Sequence, residues 1–336
     1  MDEQIVFSKL QSELSRGTDY KECFFTGCQD APIRSHSLQN NRILNRISRD
    51  GVVLRFEPKI INGEFNTELE EVGRGKASTF YGFCGNHDTQ LFSPIEREDY
   101  VIGNKEQEFL FAYRALAKEF CTKKTASNLF SKTLGLTDSE FTQLKAKLEL
   151  SEYFRNDSTK EYISAALQGT KESIDKLNGF KEAMNINLNN KRFDRISTRV
   201  IELQEEYCIA VSSIFYVEYD VLGNRINDLA YFVDMKPIFL TIFQQNGKTY
   251  ILLSWFSKNN NGFQFVDQQI ISQSKIKQKT IISNMIAQYV ENVFISPMKW
   301  DALREFDKKR FTNLFKQTLF CVKSSLLYDP NLDVFI

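Results

Sequence analysis

Residues Pro237 to Phe256 read PIFLTIFQQNGKTYILLSWF, two β-rich runs joined at Asn246-Gly247. Asn-Gly between apolar arms predicts a hairpin, because both central residues of a type I′ turn need positive φ. Both arms are apolar at nearly every position, which predicts strands covered on both faces. Upstream, the odd positions Tyr207, Ile209, Val211, Ser213, Phe215, Val217, Tyr219 and Val221 alternate with smaller or polar residues. That strand pattern stops at Leu222-Gly223-Asn224. Downstream, Phe263–Ile271 reads as one more strand. Helical periodicity follows over Lys275–Phe294 and Trp300–Val322, with Pro297 between them.

The texture is different before residue 195. Phe109, Tyr113, Leu116 and Phe120 recur at helical spacing. Thr137-x-x-Glu140 and Ser158-x-x-Glu161 each have the form of a capping box opening a helix. A further helix through Ile174, Leu177 and Met184 ends near Asn185–Asn190. The fold expected is α+β: a zinc-binding treble clef over residues 1–100, a helical segment over 101–195, then an antiparallel sheet with flanking helices over 196–336.

Composition narrows the function. The 336 residues carry 43 Lys and Arg against 43 Asp and Glu, which excludes a cationic coat that binds any nucleic acid it meets. The longest apolar runs fall far short of the ~20 residues a membrane-spanning helix needs, so no membrane partner is expected. The opening MDEQIVFSKL lacks a basic region followed by an apolar stretch, which makes the cytoplasm the expected compartment. Six cysteines in a chain of this size do not make a disulfide scaffold. Cys121, Cys208 and Cys321 sit singly among apolar neighbours and read as buried structural thiols.

Cys23, Cys28 and Cys84 instead share the first quarter of the chain with both of its histidines, His36 and His87. Zinc takes four tetrahedral thiolate and imidazole ligands, usually as two close pairs presented by short turns. Cys23-x4-Cys28 is one such pair and Cys84-x2-His87 the other. Gly27 permits the tight turn of a zinc knuckle. The preferred ligands are therefore Cys23, Cys28, Cys84 and His87, with His36 the alternative fourth.

The segment Cys23–Leu91 resembles the zinc-containing HNH, or His-Me finger, nucleases. In that family a knuckle precedes a hairpin histidine, and a second zinc pair opens a helix that carries a further metal ligand. The resemblance places Cys23, Cys28, Cys84 and His87 at the structural zinc. It makes His36 the general base and Asp88 a ligand of a catalytic magnesium or manganese ion. Asn40 or Asn41 takes the place of the asparagine that orients the histidine. This chain has C-x4-C where the family has C-x2-C, Ser35 where it has an acid, and Asp88 where it often has a histidine. Residues 51–79 are inserted between hairpin strand and helix.

Arg34, Arg42 and Arg46 crowd the expected hairpin and could meet a phosphate backbone. The alternative for the arginines in Asn40–Arg49 is a solvated helix face, with Ile43, Leu44 and Ile47 packed inward. Gly73-Arg-Gly-Lys76-Ala77-Ser78-Thr79 is not a P-loop, since Glu70 stands where its first glycine belongs. It reads as a flexible basic loop near the zinc module. Asp234-Met-Lys236 reads as sheet-edge charge rather than a metal site. The function expected is a zinc-binding, HNH-like protein acting on DNA or RNA, a metal-dependent endonuclease of a bacterial defence or restriction system. The alternative is a non-catalytic interaction protein in which zinc only stabilises the N-terminal module and the C-terminal region binds another protein.

Overall fold

The computed structural model of the chain describes residues 3–61, 64–148, 157–229, 234–318 and 325–335. The strands in chain order are β1 (Ile33–His36), β2 (Val52–Ile61), β3 (Glu64–Gly73), β4 (Thr79–Phe83) and β5 (Ile196–Leu203). They continue with β6 (Ile209–Phe215), β7 (Ile238–Gln245), β8 (Lys248–Phe256) and β9 (Val293–Ile295). Strands β1 and β4 form a small two-stranded sheet. The other seven form one sheet of order β3-β2-β9-β6-β7-β8-β5, antiparallel at every pairing. The protein is therefore mixed α+β with antiparallel sheets, as its patterning predicts.

The hairpin at the centre of the large sheet forms for the reason its sequence gives. Asn246 and Gly247 have φ of 53° and 80°, both in the region a type I′ turn demands. Side chains then alternate between two cores. Phe239, Phe243, Tyr250, Leu252 and Phe256 enter one core, together with a 30-residue central helix, Lys105–Leu134. Ile238, Leu240, Ile242, Ile251, Leu253 and Trp255 enter the other, against Ile281, Ile282, Met285 and Ile286 of helix Lys275–Tyr289. Both faces are covered, which is why both arms are apolar throughout.

Several expectations give way to other local structure. The strand from Tyr207 ends at Phe215, and Val217 to Val221 run through irregular backbone. There the Asp220 carboxylate accepts hydrogen bonds from the Leu222 and Asn224 amides and from the Asn224 and Gln269 side chains. Phe263–Ile271 is not a strand. It closes one 3-10 turn and continues as a wide helical turn, Val266–Ile271, that buries Val266 and Ile270 four residues apart. The segment 275–294 ends its helix at Tyr289, and Val293 to Ile295 form β9. The two helices expected between residues 158 and 190 are one, Asp157–Asn189, and Ser158 lies inside it. The other capping box forms: Glu140 N–H donates to Thr137 Oγ1 at 3.2 Å, and Thr137 N–H donates to Glu140 Oε2 at 2.8 Å. Cys121 is buried and Cys208 half-buried, while Cys321 lies outside the described residues.

The first hundred residues carry more regular structure than their composition suggests. Helix Glu3–Ser15 opens the described chain. The insertion between residues 51 and 79 is the hairpin β2/β3, and Leu54 on β2 pairs with Ile295 on β9. Residues 1–100, 101–195 and 196–336 all contribute to one core that runs from Tyr20 through Phe109 to Phe294.

Candidate metal centre

Residues 23–28 form a turn in which Gly27, at φ 84°, lets the Cys28 N–H fold back onto the Phe25 carbonyl at 3.3 Å. Two anchors hold this turn against the rest of the protein. Phe24 N–H donates to the Gly82 carbonyl at 2.6 Å, on β4. Asn185, from the long helix, accepts from the Thr26 N–H and the Tyr113 hydroxyl, each at 3.0 Å. β4 then runs into Cys84, the N-cap of the short helix Gly85–Leu91, whose sulfur accepts the His87 N–H at 3.5 Å. The turn and the helix start thus present their two pairs of ligands to one point.

Cys23 Sγ, Cys28 Sγ, Cys84 Sγ and a ring nitrogen of His87 all lie within 4.8 Å of one another. Cys28 and Cys84 sulfurs are 3.7 Å apart, and His87 Nδ1 is 3.5 Å from Cys23 Sγ and 3.2 Å from Cys84 Sγ. A tetrahedral ion with bonds of about 2.3 Å to sulfur and about 2.05 Å to nitrogen requires edges of about 3.75 Å between sulfurs and about 3.55 Å between sulfur and nitrogen. Cys28–Cys84 and Cys23–His87 lie close to those edges, Cys84–His87 is shorter, and the remaining pairs lie within 4.8 Å. The four residues could hold a metal ion, and the set is compatible with structural zinc. Phe25 stacks on the His87 ring at 4.1 Å between centroids and fixes its plane. Burial pushes the Cys23 thiol up to about 12 and lowers the His87 pKa, as expected for ligands placed in a desolvated pocket.

His36 is not part of this cluster. It ends β1, opposite Thr79 on β4, half-buried. Desolvation lowers its pKa, opposed first by the negative charge of Asp88, while the positive charge of Arg114 adds to the lowering. A hydrogen bond between its ring and the Gly75 backbone favours the charged form. Its Nε2 is buried and has no hydrogen-bond partner among the described residues. Asp88 follows His87 in the short helix, and its Oδ1 is likewise buried without a partner, as is the Ser35 Oγ. Burial raises the Asp88 pKa, against the opposing pull of Arg114. A buried, unpaired nitrogen and carboxylate oxygen are costly, about 1–3 kcal/mol each, so two such atoms on residues whose charges act on each other need an explanation.

The remaining residues expected at the site divide sharply. Arg34 is exposed, with its guanidinium over the Tyr81 ring at 5.9 Å. Arg42 is committed elsewhere: it pairs with Asp99 and donates to the Glu98 carbonyl at 2.8 Å. Arg46 pairs with Glu206 at 2.8 Å. Asn40 does not reach His36; its side-chain oxygen and carbonyl both accept from Arg74, beside the Gly75 that holds the histidine. Asn41 Oδ1 accepts from the same guanidinium at 3.5 Å. Asp234 lies next to undescribed residues with φ 48°, in a bend rather than a strand.

Arg114 is the residue that sequence reading missed. It is 3% exposed, pairs with Glu96 at 2.5 Å and lies 3.9 Å over the Phe92 ring. Its Nε has no partner, and its charge acts on both His36 and Asp88. The available signal was one arginine inside the apolar run FLFAYRALA, where a solvated residue has no place. No protein-family model, no curated protein and no solved structure matches this chain.

Proposed function

We propose that the protein is a zinc-stabilised, HNH-like protein acting on nucleic acid, and that its chemistry is metal-dependent phosphodiester cleavage. The observation that carries this reading is the pair His36 and Asp88. Both are half-buried, each has one buried polar atom without a hydrogen-bond partner among the described residues, and they come from β1 and from the helix that carries two of the four metal ligands. Knuckle, hairpin and ligand-bearing helix follow one another as in a treble clef, and zinc is the ion that three thiolates and one imidazole suit best.

In this reading His36 acts as the general base. Desolvation keeps its imidazole neutral near pH 7, and the free Nε2 is the atom that accepts a proton from the attacking water. The Gly75 backbone favours the protonated ring, and Asn40 steadies that segment through Arg74. Asp88 Oδ1, with Ser35 beside it, would hold a magnesium or manganese ion that retains several of its waters. When bound, such an ion neutralises charge developing on the phosphate. Arg114 positions both groups from behind.

The test is cleavage of plasmid, single-stranded DNA and RNA by wild type and His36→Ala, each with magnesium or manganese. Loss of cleavage with metal content intact is expected, because His36 stands outside the cluster. Cleavage by the variant at the wild-type rate would sink the reading.

A second reading, in which zinc only braces an interaction protein, rests on Arg42 and Arg46, whose ion pairs with Asp99 and Glu206 leave them less free for phosphate. Because the large sheet is covered on both faces, a protein partner would have to meet helices or a sheet edge. A folded, zinc-loaded protein that cleaves none of the three substrates would favour this reading.

A further inference from the structure

Between the β1/β4 hairpin and the central helix lies a cleft of about 420 Å³, open to solvent. Its walls carry three cations: Arg34 from β1, Lys76 from the basic loop before β4, and Lys118 from the helix. None of the three has an ion-pair partner among the described residues, whereas Arg42, Arg46, Arg49 and Arg55 all do. Asp19 is the one carboxylate in the lining among the described residues, whose charges there sum to a net positive value.

Lys118 is the most telling of the three. Its ammonium donates to Thr122 Oγ1 at 3.0 Å and lies 5.9 Å from the Phe80 ring, with no carboxylate paired to it. Burial disfavours its charge, which the nearby Glu119 and Glu291 offset only in part, so an anion in the cleft would stabilise it further. Tyr81, already under the Arg34 guanidinium, adds an aromatic wall on which a base can stack. Beyond Lys118 and Thr122 the cleft meets a smaller hollow lined by Glu119 and Glu291, which repels anions and bounds the site on that side.

We infer that this cleft binds the phosphate of a nucleotide unit, with Arg34, Lys76 and Lys118 as its ligands. The inference deepens the proposed action on nucleic acid and rests on it for the source of the phosphate, a polynucleotide strand or a free nucleotide. Arg34 precedes His36 by two residues on β1, about 7 Å. Lys118 belongs to the helical region that packs behind the metal module, so that region supplies part of the substrate surface.

Binding is to be measured by fluorescence anisotropy on the full-length, zinc-loaded protein without added magnesium or manganese. The probes are labelled 12-nucleotide single-stranded DNA and RNA, with AMP as unlabelled competitor. The variants are the double substitution Arg34→Gln with Lys76→Gln, and separately Lys118→Met, each checked for wild-type melting temperature. The double variant is expected to bind at least tenfold more weakly, and its slope of log affinity against log salt to flatten by about 1.4, since each contact to a single strand contributes about 0.7. Lys118→Met should weaken binding in the same direction. Tight oligonucleotide binding with poor competition by AMP assigns the phosphate to a strand, and equal competition by AMP assigns it to a free nucleotide.

Unchanged affinity and slope in the folded double variant would overturn the inference, as would absence of binding to any of these probes by wild type. If wild type cleaves nucleic acid while the double variant binds normally, only the cleft assignment falls. If the variants lose binding and nothing is cleaved, only the cleavage reading falls.

Discussion

Cys84 combines two roles in one side chain, since its sulfur sits among the candidate metal ligands and also accepts the first-turn N–H of the helix it caps. Cys84→Ser keeps a capping oxygen but removes a soft thiolate, so it isolates the metal term. Metal content should fall from one equivalent per chain towards zero, and unfolding free energy by more than about 3 kcal/mol, given the size of zinc's contribution in small modules. Cys121→Ala, at a buried thiol outside the ligand set, should retain the metal. His36 supplies a pH test. Its folded pKa lies below the ordinary value of about 6.5, so the unfolded chain binds the extra proton first as pH falls. The native state is therefore penalised below about pH 6.5 and unaffected above it. His36→Gln should lose less stability than wild type between pH 7 and 5, measured by thermal melts at matched salt. The two ligand pairs could be read from their spacing, but the choice of His87 over His36 as the fourth ligand came only from the fold, which leaves His36 outside the cluster. The environment of His36 could not, because Arg114 and Glu96 reach it only after the central helix packs behind the hairpin.

Among the elements, the hairpin β7/β8 and the capping box at Thr137 were legible because the deciding chemistry is local. Gly247 stands at φ 80°, and Gly247→Val forces a β-branched residue into that region. A loss of about 1–2 kcal/mol in denaturant unfolding is expected. Elsewhere local signals competed. β2 and β3 escaped notice because charged residues alternate along both strands and Pro58 interrupts the first. Their order comes from partners across the ladder: Arg55 faces Glu70 in the register, and Lys59 pairs with Glu70 at 2.8 Å. Phe263–Ile271 misled for the opposite reason. Its apolar residues suit either period, and the core under helix Lys275–Tyr289 selected the helical one.

Taken as a whole, the molecule joins its beginning to its end. The segment with the candidate metal ligands is pinned by Asn185 and Tyr113, and β2 joins the large sheet beside β9. A fragment of residues 1–100 should therefore remain largely unfolded even with zinc supplied, as judged by far-ultraviolet circular dichroism and amide dispersion in a proton NMR spectrum. A native-like spectrum for the fragment would show that the shared core is dispensable to it. The pairing of Leu54 with Ile295 spans about 240 positions, and it has a consequence for biosynthesis. At about 5–20 residues per second, a ribosome that has just made β2 needs roughly 10–50 s to deliver the strand that covers its open edge. Throughout that interval the β2/β3 hairpin waits on the nascent chain with its β2 edge open as well as its β3 edge, and the charged side chains at Arg55, Glu57 and Lys59 disfavour its joining a neighbour.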